Sequence, residues 1–296
     1  MTPEQILTRT AVFALFGPPN AGKSTLMNAI IGEKIAPMHR RPQMTRKNLL
    51  GIFTEGETQL IFIDTPGFHE SEAVINRELR QELIRAASDC DVLVVLLDAG
   101  APLPPELIQA VRVAIAKKNH LFVLNKSDLP REKWRTTPQT LVDSFGATEV
   151  LCISAKTGAG KNEFLAKLKS LAMPGAFLYP EDEMTAATMR EIAANCILEK
   201  LMEHLGQEIP YQMAVIIEDY KERPQQDEIR AILIVNRDSQ KGMVIGKGGA
   251  MLKKIGMSAR EDLVAFLGKK VRLDLFVKVD CDWVRDPRKI REYCGF

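Results

Sequence analysis

Soft metal ligands, cross-links and membrane anchors are what this sequence has least of. Its five cysteines (Cys90, Cys152, Cys196, Cys281 and Cys294) are scattered, with no C-x-x-C pair and no histidine at ligand spacing. A disulfide scaffold and a zinc site are therefore excluded, and free thiols in a reducing compartment are expected. The longest apolar run, residues 92–97, falls far short of the roughly 18 residues a membrane span needs. No basic stretch followed by a long apolar one opens the chain, so no secretory signal is expected, and the reading is of a cytoplasmic protein. Internal repeats and low-complexity tracts are also missing. Neither sign of charge dominates: 40 Lys and Arg stand against 38 Asp and Glu, a net charge of +2 that says nothing by itself about partners. The charge is unevenly spread, however. Between residues 241 and 272 eight basic residues face two acids, giving that stretch +6.

What is present is an ordinary globular composition, 46% hydrophobic and 26% charged over 296 residues, enough for two domains with a core each. In the first half, short apolar runs at residues 11–16, 60–63, 92–97, 121–124 and 150–153 alternate with helical spacing, for example at 78–87 and 106–117. Apolar runs without period-2 alternation are strands buried on both faces, and their alternation with helices predicts a doubly wound α/β sheet. Residues 48–53 add a candidate antiparallel edge strand, making the sheet mixed. After Leu171 the pattern changes. Met173-Pro174-Gly175 and Tyr179-Pro180-Glu181-Asp182 punctuate a link, so the reading places one domain at 1–173, a linker at 174–184 and a second domain at 185–296. In the second, Thr185 is the expected cap of a helix reaching residue 205. Strands at 212–218 and 229–235 follow, then a helical turn near Gln240, a glycine loop, a helix at 250–267 and a strand at 270–279.

Four motifs carry chemistry in the first half. Gly17-Pro18-Pro19-Asn20-Ala21-Gly22-Lys23-Ser24 matches G-x-x-x-x-G-K-S between a predicted strand and the helical stretch that Thr25 opens. Glycines there let backbone N–H groups wrap phosphates, Lys23 supplies charge to the β- and γ-phosphates, and the Ser24 hydroxyl can ligate Mg²⁺. Asp64-Thr65-Pro66-Gly67 ends the second predicted strand; Asp64 can hold Mg²⁺ through water, and the Gly67 N–H can reach a γ-phosphate. Asn125-Lys126-Ser127-Asp128 offers a carboxylate that accepts two hydrogen bonds from guanine, a pair adenine lacks. Ser154-Ala155-Lys156 completes the base pocket. All four lie at the C-terminal ends of predicted strands, where open α/β sheets bind ligands. The set predicts a P-loop protein that binds GTP/GDP with Mg²⁺.

Two features bear on hydrolysis. Phe68 follows Gly67 where many GTPases carry a water-orienting Gln, so slow intrinsic turnover is expected. Asn20 resembles the P-loop Asn of GTPases that recruit K⁺, its bland alternative being a loop cap. Thr45 is the candidate switch residue for Mg²⁺ and γ-phosphate. Arg40, Arg41, Arg46 and Lys47 flank it, and a solvated loop and an RNA contact stand open as readings of them. The expected catalytic set is Lys23, Asn20, Thr45 and Gly67.

In the second half, Ile245-Gly246-Lys247-Gly248-Gly249 forms a G-x-x-G loop inside the basic stretch, followed by Lys253 and Lys254. With the order α-β-β-α-α-β, this predicts an α+β K-homology (KH) domain of the second topological type, whose glycine loop clamps single-stranded RNA. The basic segment contains no aromatic residue but Phe266, so bases are expected to rest on aliphatic surface.

With both halves read, the chain resembles the bacterial Era family of ribosome-assembly GTPases essentially end to end. The carriers are Pro19-Asn20, Gln43 with Thr45-Arg46, Asp64-Thr65-Pro66-Gly67, Asn125-Lys126-Ser127-Asp128, Tyr179-Pro180, Ile209-Pro210-Tyr211 and Ile245-Gly246-Lys247-Gly248-Gly249. Met44 departs from the family's Thr-Thr-Arg. The resemblance implies binding to the 3′ end of small-subunit ribosomal RNA, a GTP-gated role in 30S subunit assembly, a monomeric state and loose association with the inner membrane. Trp283 and the tail to Phe296 look like the family's C-terminal extension. Two other readings are a GTPase acting on a different RNA, as in tRNA modification or large-subunit assembly, and a binding module whose turnover is incidental.

Overall fold

A computed structural model describes residues 8–37, 45–67, 74–116, 118–205 and 212–295. The chain forms two compact units: residues 1–36, 48–70 and 80–186 make the first, and 37–47, 71–79 and 187–296 the second.

The first unit begins with β1 (Arg9–Phe16), α1 (Lys23–Ile31), β2 (Leu49–Glu55), β3 (Thr58–Asp64), α2 (Val74–Asp89) and β4 (Val92–Asp98). It continues with α3 (Pro105–Ile115), β5 (Asn119–Asn125), α4 (Pro138–Phe145), β6 (Val150–Cys152), α5 (Lys161–Leu171) and the two-residue β7 (Met173–Pro174). Part of α2 belongs by packing to the second unit. The sheet runs β2-β3-β1-β4-β5-β6, with β7 added beside the start of β1. Every apolar run named from sequence is one of its strands. Those in the middle are buried on both faces, since helices cover both sides of a parallel sheet. The weak edge strand is real: β2 pairs antiparallel with β3 from Leu49↔Asp64 to Glu55↔Thr58. The sheet is therefore mixed. Phe13 and Phe62, on adjacent strands, stack at 5.8 Å in its core.

The link after β7 is tied to this sheet. Gly175 donates to Thr8, and the buried Gln59 accepts from Leu178 and Tyr179 and donates to the Tyr179 carbonyl. Ile52 then donates to Met184 and Thr185 to Leu50. Thr185 is thus not the cap expected of it. The cap of α6 (Met189–His204) is Thr188, whose side chain accepts from Glu191 N while Glu191 reaches back to Thr188 N. That is the Ser/Thr-x-x-Glu capping box, satisfying two end donors reciprocally, and Thr185 has no acid three residues on.

The second unit continues with β8 (Met213–Lys221), β9 (Gln226–Val235), α7 (Asp238–Ile245), α8 (Ala250–Leu267), β10 (Lys270–Val279) and α9 (Pro287–Cys294). Its sheet has the order β10-β9-β8, with β8 antiparallel and β10 parallel to β9. One face packs on the helices through Ile197, Leu201, Leu233, Ile255 and Ala259. On a second cluster, fully buried Trp283 and Ile290 of the tail pack against Ala214 and Ile234. The Trp283 indole donates to the Gln212 carbonyl at 3.1 Å. The tail is thus part of the second unit's core. All five cysteines are free thiols. Among the described residues no helix is long and apolar enough to cross a membrane.

Candidate functional site: a nucleotide cradle and a glycine-loop groove

In the first unit the four motif loops converge at the C-terminal ends of β1, β3, β5 and β6. The turn after β1 needs unusual backbone, with Asn20 at φ 63° and Gly22, the residue before α1, at φ 97°. Gly22 is required sterically too: a Cβ there would stand 2.2 Å from the Asn125 side-chain nitrogen. That nitrogen donates to the Ala21 carbonyl at 2.7 Å, and the Asn125 oxygen accepts from Ala155 N at 2.9 Å. One buried amide therefore ties the phosphate loop to the base-pocket loop. Gly67 meets the same loop from the other side, where a Cβ would lie 2.7 Å from the Pro19 backbone. Its N–H is in this way held close to the turn after β1.

Lys23 is 6% exposed and donates to the carbonyls of Gly17 and Pro18, each at 3.1 Å. Burial outweighs the attraction of Asp64 and pulls its pKa down to about 8. The Ser24 hydroxyl donates to Asp64 at 2.6 Å, and Asp64 is fully buried. A hydroxyl and a carboxylate this close are hard oxygen donors of the kind Mg²⁺ takes alongside nucleotide phosphates. They fit that ion. Among the described residues there is no cluster of three or more His, Cys, Asp or Glu that could hold a metal by itself. Thr65 donates to the Leu15 carbonyl and fixes the start of the Asp64 loop. Thr25 is half-buried on the first turn of α1.

At the base end, Asp128 accepts from the Ser154 hydroxyl at 2.7 Å. Ser154 also accepts from Thr157 N, and Ser127 N donates to the Ile153 carbonyl. Lys126 stands at φ 64° and pairs with Asp98 at 2.5 Å, while Lys156 is exposed at the rim. Asp98 was not singled out from sequence. Its place as the last residue of β4, at the ligand-binding edge of the sheet, is the signal that would have found it.

Thr45 lies in the segment that packs with the second unit. Of its basic flank, Arg46 fits neither reading, whereas Lys47 is exposed. Arg46 is 6% exposed; its guanidinium donates to the Met213 carbonyl at 2.6 Å and lies 3.7 Å from the Cys294 sulfur. Lys47 pairs with Glu191 at 2.8 Å. A buried guanidinium needs such fixed acceptors, so Arg46 is an anchor inside the second unit. Arg40, Arg41, Gln43, Met44, Phe68 and residues 209–211 lie outside the described residues.

In the second unit, α7 ends at Gly246 (φ 71°), and a turn through Lys247, Gly248 (φ 60°) and Gly249 leads into α8. Gly246 is tight, since a Cβ would stand 2.7 Å from Met251, whereas Gly248 faces open space. Lys247 is exposed and Ile245 half-buried. From Gly249 a groove of about 560 Å³ runs between α8 and the edge strand β10. Lys253, Gly256 and Arg260 line its helix side, Leu273, Leu275 and Phe276 its strand side. Lys254 does not line it; it sits where, after burial, its charge helps lower the pKa of His204. The wall is aliphatic in part, as expected, but Phe276 is a correction. It lies beyond the basic segment in sequence, is 51% exposed and has the Arg230 guanidinium 5.6 Å from its ring centre.

The chain matches a family model described as a 50S ribosome-binding GTPase over residues 12–126, and one described as a KH domain over residues 208–284. It is 37% identical over 291 residues to GTPase Era of Pseudomonas entomophila (strain L48), covering 97% of each chain. To GTPase Era of Bradyrhizobium sp. (strain ORS 278) it is 39% identical over 289 residues, covering 96% of this chain and 94% of the relative. Among solved structures it is similar to Era in complex with MgGDPNP and nucleotides 1506–1542 of 16S ribosomal RNA: TM-score 0.92, 32% identity, 97% of this chain and 98% of the other. A point variant of Aquifex aeolicus Era bound to GDP·AlF4⁻ matches at TM-score 0.92 and 32% identity, over 97% of this chain and 99% of that one.

Proposed function

The chain belongs to the Era family of GTPases, and on that premise we propose that it is a GTP-gated RNA-binding factor in assembly of the 30S ribosomal subunit. It hydrolyses GTP to GDP and phosphate in the first unit and grips single-stranded RNA near the 3′ end of the small-subunit rRNA with the second. The observation that carries the reading is the joining of Lys23, the Ser24–Asp64 pair and the Ser154-held Asp128 around one buried amide, Asn125. The related Era structure with 16S ribosomal RNA supports the choice of partner.

The roles follow from placement. Backbone N–H groups of Asn20, Ala21, Gly22, Lys23, Ser24 and Thr25 wrap the phosphates, with Gly17 leaving room at the loop's entry. The Lys23 ammonium faces the β- and γ-phosphates. Ser24 and, through water, Asp64 would hold Mg²⁺, joined by Thr45 in the GTP state; the ion supplies the charge that the β- and γ-phosphate oxygens need neutralised. Gly67 N–H answers the γ-phosphate, so its loop distinguishes GTP from GDP. Asp128 accepts both guanine donors, and Asn125, Lys126, Ala155 and Lys156 frame the base. Ser154 spends its hydroxyl on Asp128, which keeps the carboxylate turned toward the base.

Asn20 stands at φ 63° in the phosphate loop, and a K⁺ held there would supply the charge that an arginine finger gives elsewhere. Equal turnover in matched Na⁺ and K⁺ buffers would remove that role. The domain limits 1–173, 174–184 and 185–296 belong to this proposal as limits in sequence; by packing, residues 37–47 and 71–79 go with the second unit and the link goes with the first. Ile245, Gly246, Lys247, Gly248 and Gly249 approach RNA phosphates closely, and Lys253 adds charge. The protein acts as a cytoplasmic monomer with loose inner-membrane association. Filter or anisotropy binding to a 3′-terminal small-subunit rRNA oligonucleotide, set against an unrelated oligonucleotide of equal length, tests the partner. Equal affinity for both would contradict it.

A further inference from the structure

Asp98 is the last residue of β4, and the parallel register sets it beside Asn125, directly before Lys126. The loop it opens is bound on both sides. Ala99 N donates to the Asn125 carbonyl at 3.0 Å, while the Ala99 carbonyl accepts from Arg135 N at 2.7 Å and Thr136 N at 3.1 Å. The hydroxyl of fully buried Thr136 donates to the Ala101 carbonyl. The two oxygens of Asp98 are divided between two tasks. One accepts from Gly100 N at 2.8 Å and closes a local turn; the other takes the Lys126 ammonium at 2.5 Å.

Lys126 is anchored at its other end as well. Its backbone stands at φ 64°, a region that an L side chain adopts at a cost, and Leu129 N donates to its carbonyl at 3.0 Å. The four-carbon stem is thus stretched between two held ends. The side chain of Asp98 is 14% exposed and that of Lys126 37%, so the carboxylate is set into the wall and the stem is partly open to solvent. A purine needs polar atoms for its edge and apolar surface for its face. Asp128, held by Ser154, answers the edge. A lysine stem answers the face when its ammonium is kept at the far end, whereas an unheld lysine spreads over many rotamers.

We propose that Asp98 is a positioning residue for the nucleotide: by holding the Lys126 ammonium it lays the lysine stem against the face of the purine, while Asp128 reads the edge. The inference rests on the reading of residues 125–128 as the base pocket, and the experiment separates the two. The full-length protein binds a fluorescent GDP analogue, with GDP and inosine diphosphate as competitors, at one low ionic strength because salt screens a partly exposed pair. Asp98→Asn keeps an oxygen for Gly100 N, so the turn survives, and removes the charge that holds Lys126. It weakens GDP and inosine diphosphate alike by about five- to tenfold, since the stem covers the ring and not the 2-amino edge. Asp98→Glu, which restores the carboxylate, recovers most of that loss. In a Lys126→Ala background Asp98→Asn costs less than about twofold, as for two residues acting through one contact. Parental affinity in Asp98→Asn, an equal loss in both backgrounds, an altered preference between the two nucleotides or no recovery in Asp98→Glu overturns the positioning role. Parental affinity in Lys126→Ala overturns the placement of Lys126 in the base pocket itself.

Discussion

The nucleotide cradle and the glycine-loop groove face similar chemical groups, phosphates and bases, through opposite constructions. In the cradle the working atoms are largely buried and bonded within the protein: Lys23 to two carbonyls, Ser24 to Asp64, Asn125 to two loops, Asp128 to Ser154. In the groove Lys253 and Arg260 are exposed on the helix face, with Lys247 exposed on the turn before it and Asp274 on the strand side, and the wall is largely aliphatic. Fixed, desolvated polar atoms discriminate steeply, because a wrong ligand leaves one of them unpaired. Solvated charge beside glycine binds a backbone of any sequence and weakens with salt. The construction of the cradle suits discrimination between nucleotides, and that of the groove suits an extended strand.

That contrast sets the scale of what substitutions do. Lys23→Ala removes the buried charge at the phosphates and should cost GTP affinity about two to three orders of magnitude, as loss of one partner of a buried charged contact does. Affinity within a few-fold of the parent in a calorimetric titration would refute the assignment. Asp128→Asn should lower the preference for guanine over xanthine nucleotides by about two orders of magnitude, since an amide can donate to the 2-oxo group. A variant that still selects GTP in competition binding would contradict the base-pocket reading. Gly248→Asp is gentler. The position has open space around it, and Asp tolerates a left-handed backbone, so the fold should persist. RNA affinity should drop about tenfold through repulsion of phosphate, with the GTPase rate unchanged.

The smallest effect sharpens the cradle's electrostatics. With its pKa pulled down to about 8 by burial, Lys23 is mostly charged below that pH and mostly neutral above it. Bound phosphates favour the charged form, so GTP binding should take up close to one proton at pH 9 and about a tenth at pH 7. Titration calorimetry in buffers of different ionisation enthalpy reads this directly. Uptake independent of pH would place the charge of Lys23 elsewhere.

How much of this was legible before the structure follows the same divide. Strands buried on both faces announce themselves as apolar runs, and the four motif loops sit where those runs end. In the second unit α8 and β10 match the expected limits at both ends, because Gly249 and Gly268 bracket the helix and the strand begins directly after. The misses have physical causes. Thr185 drew the eye as a cap, although Thr188-x-x-Glu191 holds the reciprocal pair. Arg46 reads as a surface charge because nothing local reveals a carbonyl 167 residues away that accepts from it. The strand side of the groove escaped notice because Leu273, Leu275 and Phe276 reach α8 only through tertiary packing. Trp283 shows no role in sequence, yet it is the largest fully buried side chain.

The central claim is that nucleotide state governs the grip on RNA. Its most direct test is the affinity of the full-length protein for a 3′-terminal small-subunit rRNA oligonucleotide, compared between GDP and a non-hydrolysable GTP analogue at one salt concentration. The account predicts tighter binding with the analogue, by about tenfold or more, the scale of a coupling of 1–3 kcal/mol between two sites. Equal affinity in the two states would contradict it and leave a GTPase joined to an RNA anchor that does not sense its nucleotide.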